Sequence, residues 1–252
     1  MTRETKSVKR LFVDQPLAAD KTLTLTGNPA HYLRNVLRVG VDDGVLVFNG
    51  HDGEWHAQIT ALDKRTVTLV TAHQTRPQKT PETPQADIWL LVAPVKRARL
   101  DYLAQKATEM GVTRLVPVIT QRTQGGAVNL DRLRANAQEA AEQCGILQVP
   151  DIMAPIQLDD ALQDWDGERT LLFCDETAEV GMGATELATK LSPPLAVLIG
   201  PEGGFTSQER DGLLALNQTV QMSLGPRILR TDTAVVAALA LVQWLAGDWQ
   251  RE

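Results

Sequence analysis

LAVLIGPEGGFTSQE, residues 195–209, sets a short apolar run directly before a glycine- and proline-rich turn and a helix-like pattern. The run LAVLIG is short, carries β-branched residues and is bounded by Pro and Gly, which reads as a buried strand. Thr206 and Glu209 have the S/T-x-x-E spacing of a capping box, so a helix is predicted to begin near Ser207. Glycine supplies positive φ angles and proline fixes a turn, so on one account the junction is only a sharp strand-to-helix connection. On the other it is a ligand loop, because unpaired N–H groups at a helix start suit a carboxylate, a phosphate or an electron-rich ring edge.

Outward from that junction, the same alternation fills the chain from residue 86 onward. IWLLVA precedes RARLDYLAQKATEMG, RLVPVI precedes DRLRANAQEAAEQCG, TLLFC and LAVLIG follow, and VQMSLG leads into a long apolar helix. Strands alternating with helices predict a mostly parallel sheet covered by helices, with ligands at the carboxyl ends of the strands, where GPEGG falls. Before residue 77 the pattern differs. TLTLTG, VLVFNG, EWHAQITAL and TVTLVTA alternate with period two, with turn signals at Asn49-Gly50 and Asp52-Gly53. That predicts a small β-rich, barrel-like domain over 1–76, a linker over 77–85 within the proline-bearing RPQKTPETPQ, and an α/β domain over 86–252.

The chain has 252 residues, 43% hydrophobic and 22% charged, a globular composition. No apolar stretch approaches the about 20 residues that cross a bilayer, and MTRETKSVKR lacks the apolar block of a secretory signal, so a cytoplasmic protein without membrane contact is expected. Cys144 and Cys174 lack CxxC spacing, which gives no zinc site and predicts buried structural thiols; no metal is expected. The formal net charge is −6, unevenly spread. Residues 1–76 carry ten Lys and Arg against eight Asp and Glu, whereas residues 77–252 carry fifteen against twenty-three. A local basic surface can still hold phosphate.

Several chemistries are poorly supported. GPEGGFTS lacks the Lys of a P-loop, and no G-x-G-x-x-G follows an early strand. All four histidines precede the linker, which disfavours a histidine-based hydrolase or metal site in the larger domain. The second informative stretch is LGPRILRTDTAVVAALALVQWL, residues 224–245. It passes through Arg227 and Arg230 into a helix expected to be capped by Thr231 or Asp232, apolar almost all round and so suited to a core or a subunit interface. Two glycine-proline loops at successive strand ends, one acidic and one arginine-bearing, suggest one site.

IGPEGGFTSQE together with LGPRILRTDTA resembles the ribosomal RNA small subunit methyltransferase E family, the 16S rRNA uridine-N3 methyltransferases of the SPOUT class. HYLRNVLRV, Lys96, QKATEMGV, Arg122 and AAEQCG match as well. The resemblance implies a PUA-like β-barrel that helps bind RNA, followed by an α/β domain tied in a trefoil knot, acting as a homodimer on 16S rRNA or the small ribosomal subunit. It implies that the two loops hold S-adenosylmethionine through Leu198, Gly200, Glu202 and Gly203 and through Leu224, Gly225, Ile228 and Leu229. The chain departs from the family pattern at Asp232, where Glu is common, at Gln121, where an acidic residue is common, and at Ile146, where Arg is common.

Methylating N3 of uridine requires loss of a proton, with negative charge spreading onto two carbonyl oxygens. Arg230 is expected to stabilise that charge, and Asp232 or Glu202 to orient it or take the proton; the alternative is an Arg230–Asp232 pair that is only scaffold. Arg10, Arg34 and Arg38 are expected to grip phosphates, with Lys96 and Arg122 nearer the reaction, against the alternative of solvated surface charges. Two other functions fit the fold: a ribose 2′-O methyltransferase and a noncatalytic RNA-binding assembly factor.

Overall fold

A computed structural model of the protein describes residues 9–78, 86–178 and 183–250. Residues 1–8 of MTRETKSVKR, and linker residues 79–85, therefore lie outside the described residues. The chain divides into two compact units, Met1–Pro84 with Ala141–Gln148, and Gln85–Ala140 with Val149–Glu252.

In the first unit, β1 (Arg10–Phe12), β2 (Thr22–Leu25), α1 (Gly27–His31), a π-helical turn (Tyr32–Val36), β3 (Gly44–Phe48), β4 (Glu54–Leu62) and β5 (Val67–Arg76) follow in order. They form one sheet in the order β1-β3-β4-β5-β2, antiparallel except for the β1–β3 pair. Alternation decides which face is buried: Leu23 stands opposite Leu69, as does Ile59, and Val45 opposite Ala57, all fully enclosed. The turn between β3 and β4 is held by Asn49, whose Oδ1 accepts from His51 N (3.0 Å) and Asp52 N (2.8 Å). Gly53 must lack a side chain, since a Cβ there would sit 2.4 Å from Arg76 O.

At one end of the central strand β4 lies a buried charge node. The Glu54 carboxylate accepts from Arg10 Nε (2.6 Å), Arg76 Nη2 (2.7 Å) and Thr75 Oγ1 (2.9 Å). Burial pushes its pKa up, but the hydrogen bonds from Arg76, Arg10 and Thr75 outweigh that and hold it at about 2. Arg10 also donates to the carbonyls of Ala141 (2.5 Å), Glu142 (3.0 Å) and Ile146 (3.1 Å), and Arg76 to Gly145 O (2.9 Å). These guanidiniums add donors to carbonyls at the helix end, of which Ala141 O also accepts from Ile146 N (3.1 Å). Nothing in the sequence pattern announces that residues 141–148 join this unit.

The second unit contains β6 (Ile88–Val92), α2 (Arg97–Glu109), β7 (Arg114–Ile119) and α3 (Leu130–Cys144), whose last turn belongs to the first unit. After them come β8 (Asp151–Ile152), β9 (Ile156–Gln157), α4 (Leu158–Gln163), β10 (Thr170–Cys174), α5 (Ala184–Lys190), β11 (Leu195–Ile199), α6 (Ser207–Ala215), β12 (Thr219–Met222) and α7 (Thr231–Ala246). The strands run β12-β10-β11-β6-β7-β8, with β9 beside β7, and every pair is parallel, as the α/β pattern predicts. All five residues of β11 are buried, which is why that run shows no polar alternation. One face of the sheet packs Leu90, Leu172 and Val197 against Leu103 and Leu239; the other packs Leu91, Phe173 and Leu198 against Leu213.

The predicted capping box is present: Thr206 caps α6, and Glu209 returns to it. Two expectations are corrected. The cap of α7 is Arg230, not Thr231 or Asp232, because Thr231 Oγ1 donates instead to Gly200 O (3.3 Å) and Asp232 Oδ1 accepts from Thr233 N (3.1 Å) within the first turn. Cys144 is exposed at the end of α3, not buried. Among the described residues, no helix is long and apolar enough to cross a membrane.

Candidate active site

Parallel strands end on one side of their sheet, so the loops after β10, β11 and β12 are drawn to the same edge. They line a cavity of about 490 Å³, within the size range of small-molecule sites. The loop after β11 is the GPEGG turn; the loop after β12 is LGPRIL. Thr231, at the start of α7, bonds Gly200 O and so ties the second loop to the first.

The glycines are needed for stated reasons. A Cβ on Gly200 would meet the Phe205 ring at 2.5 Å, and that ring is fixed edge-on to Phe173 with centroids 5.1 Å apart. Gly204 has φ +66°, and a Cβ there would lie 2.5 Å from Glu176 Oε1. Close backbone approach along the cavity wall follows from having no side chain at either position.

The third wall, residues 174–178, was not singled out in the sequence. Its anchor is Asp175, 5% exposed, whose Oδ1 accepts from Thr177 N (2.9 Å) and Thr177 Oγ1 (2.8 Å). Its Oδ2 accepts from Arg210 Nε (2.6 Å) and Gln221 Nε2 (2.7 Å). Burial raises the Asp175 pKa, but these hydrogen bonds more than offset it, so the carboxyl stays below its usual range. One carboxylate thus joins β10, α6 and β12 beneath the cavity. The neighbouring Cys174 thiol is pushed up to about 12 by burial and is no nucleophile.

Of the residues matched to cofactor motifs, Gly200, Glu202, Leu224, Gly225, Ile228 and Leu229 line the cavity. Leu198 instead lies fully buried in the sheet core. Gly203 sits beneath Arg122, whose Cβ is 3.5 Å from where a glycine Cβ would be. Arg122 and Arg230 both line the cavity. Asp232 does not; it lines an adjoining hollow with Arg99, Tyr102 and Val236 of α2 and α7. Among the described residues Arg230 and Asp232 form no ion pair, so the scaffold alternative is not the arrangement found.

Glu202 is hydrogen-bonded to Arg99, which lowers its pKa, and the positive charges of Arg230 and Lys96 lower it further. It is therefore ionised at neutral pH. Lys96 is exposed at the N-cap of α2.

The first unit gives a different answer for its arginines. Arg38 is exposed, with φ +51°, just past the π-helical turn. Arg34 is half-buried and donates to Asp63 O. Arg10 is corrected: its side chain is only 10% exposed, and Glu54 with three helix-end carbonyls occupies it, so it is not presented to a phosphate.

Residues 81–243 match the RNA methyltransferase domain model, and residues 25–71 match the RNA methyltransferase PUA domain model. The chain is 33% identical to ribosomal RNA small subunit methyltransferase E of Rickettsia conorii over 240 residues, covering 94% of this chain and 96% of that one. It is 28% identical to the protein of the same name from Bacillus subtilis, covering 96% and 100%. The crystal structure of ribosomal RNA small subunit methyltransferase E from Neisseria gonorrhoeae bound to S-adenosyl methionine superposes with a TM-score of 0.79 at 28% identity, covering 96% of this chain and all of that one.

Proposed function

This chain belongs to the ribosomal RNA small subunit methyltransferase E family, and from that premise we propose that it methylates N3 of a uridine in 16S ribosomal RNA, using S-adenosylmethionine. The observation that carries the reading is the meeting of the two glycine-proline loops around one cavity, with Arg230 on its wall. A size within the small-molecule range, a Gly200 whose Cβ would strike the Phe205 ring and a Gly204 at φ +66° suit a cradle for that cofactor. Gly200, Leu224, Gly225, Ile228 and Leu229 would hold it, with Leu198 supporting the turn from the core. When bound, it supplies a methyl group activated by the sulfonium.

The chain's own groups then act on the uracil. Arg230 faces the cavity and stabilises the negative charge that develops on the ring oxygens once N3 loses its proton. Glu202, ionised and bonded to Arg99, orients the arginines at the rim. Asp232 is the carboxylate assigned to receive the proton, approached from the α2–α7 side. Arg38 and Lys96 hold phosphates, with Arg122 closer to the reacting base.

The relatives' shared name and the cofactor-bound neighbour weigh against a noncatalytic assembly factor. We also infer a homodimer. Tyr102 of α2 and Leu241 and Trp244 of α7 are large apolar side chains left exposed, an arrangement that suits a second copy. A trefoil knot and a cytoplasmic location belong to the same reading, the latter because ribosomal RNA is there.

The test is methyl transfer from labelled S-adenosylmethionine to unmodified small subunits and to naked 16S rRNA, with the product nucleoside identified by mass spectrometry. 3-Methyluridine supports the proposal and shows which form of RNA is used. Ribose-methylated uridine would replace it with the 2′-O reading.

A further inference from the structure

A capping box needs only one oxygen of its glutamate, yet Glu209 uses both. The residue is 4% exposed. Its Oε2 accepts from Thr206 N (2.8 Å) and Thr206 Oγ1 (3.0 Å), closing the cap of α6. Its Oε1 accepts from Gln121 N at 2.7 Å, across 88 positions of sequence.

Gln121 begins a tight turn after β7. Thr123 Oγ1 accepts from Thr120 N (2.9 Å), and Thr123 N donates back to Thr120 O (3.1 Å). The turn projects one long side chain, Arg122, over Gly203, where its Nη1 donates to Gly203 O (2.8 Å). That bond uses one of the five N–H donors of a guanidinium, and the group lines the cavity. The Arg122 turn is thus fixed at two points, to the GPEGG turn by Arg122 itself and to the first turn of α6 by the buried Glu209.

We propose that Glu209 is a positioning residue for the proposed methyl transfer: its second oxygen sets the Arg122 turn so that the guanidinium meets an anionic group at the cavity. The chemical logic is that a flexible arginine held only at its tip loses entropy on binding, whereas one whose backbone is pinned has already lost part of it. This inference rests on the reading that Arg122 serves substrate binding or transfer.

Glu209→Gln tests it. An amide has one acceptor oxygen, so one of the two partner N–H groups must be given up, and because Gln also closes a capping box, the loss falls on Gln121. Kinetics with rRNA would be measured for Glu209→Gln, Arg122→Ala and the double variant, alongside S-adenosylmethionine affinity by calorimetry and hydrogen exchange of residues 120–123. The expected result is a drop in kcat/KM for RNA of about tenfold in each single variant. The double variant falls no further than Arg122→Ala, cofactor affinity holds, and exchange at the turn speeds up in Glu209→Gln. Losses that multiply in the double variant, or a fall in cofactor affinity, would overturn the proposal, since Glu209 would then act through the cofactor loop. Full activity in Glu209→Gln beside a defective Arg122→Ala overturns it too. Full activity in Arg122→Ala instead removes the reading of Arg122 on which the proposal stands. If Glu209→Gln does not fold, Glu209→Asp keeps a carboxylate that can cap but shortens the reach to Gln121, and the same outcomes apply.

Discussion

Around Glu54, two arginines and a threonine close on a carboxylate whose side chain is 4% exposed; around Glu202, Arg99 and the charges of Arg230 and Lys96 surround one that is 54% exposed. The residue types are the same and both carboxyls sit below their usual pKa. What differs is what the positive groups still have to offer. At Glu54 the Arg10 guanidinium is enclosed among a carboxylate and three carbonyls, and a buried charge so satisfied is part of the fold. At Glu202, Arg230 opens onto a cavity bounded by backbone turns and Arg99 onto the adjoining hollow, where a ligand can complete them. Burial and completeness of partners, more than the presence of Arg and Glu, separate the structural node from the chemical one.

The largest effect that would sharpen this contrast is at the buried node. Glu54→Leu leaves two guanidiniums facing each other without their carboxylate and should cost about 3–5 kcal/mol. Thermal and denaturant unfolding would read that loss, while cofactor affinity of the folded fraction stays unchanged. The pH dependence has a definite sign. The folded pKa of Glu54 is depressed from 4.5 to about 2, so its stabilisation is present above pH 4.5 and is lost as pH falls from there toward 2. Urea midpoints between those values should fall in the wild type and stay flatter in Glu54→Leu; parallel curves would mean that another group governs acid unfolding.

Next in size is Gly200→Ala. The added methyl meets the Phe205 ring at 2.5 Å and must push it from Phe173 or move the turn. Cofactor affinity by calorimetry should drop by about 100-fold, roughly 2.7 kcal/mol, with a much smaller change in unfolding. Equal losses of stability and affinity would put the two nodes in one class. The smallest effect belongs to Arg38→Ala, which should weaken RNA binding evenly across sequences and reduce the salt slope by about 1. Arg10→Ala, by contrast, should destabilise the first unit. A change in salt slope with Arg10→Ala and none with Arg38→Ala would reverse their assignments.

Much of this was legible in sequence wherever the signal is local. The alternation in EWHAQITAL and the run RLVPVI mark β4 and β7 at their observed bounds, and Thr206 with Glu209 marks the start of α6. The parallel sheet and the two glycine-proline loops follow from the same kind of reading. The missed features depend on partners distant in the chain. Arg10 reads as a phosphate-gripping basic residue until Glu54 and the carbonyls of residues 141–146 are placed beside it. The wall at 174–178 has no glycine or proline to announce a turn, and its anchor Asp175 needs Arg210 and Gln221 to be recognised. Glu209 was visible as a cap, but its second oxygen, and therefore its hold on Gln121, was not. Thr231 looked like a cap because hydroxyls favour that place, but the Gly200 carbonyl claims its proton.

The central claim is that the exposed arginine of the second motif does chemistry and is not scaffold. Its most direct test is single-turnover methyl transfer by Arg230→Ala at saturating RNA and cofactor, with thermal unfolding of the same sample. The account predicts a rate lower by about 100-fold or more, with the unfolding temperature unchanged. An unchanged rate, or a slow variant that is equally unstable, would contradict it.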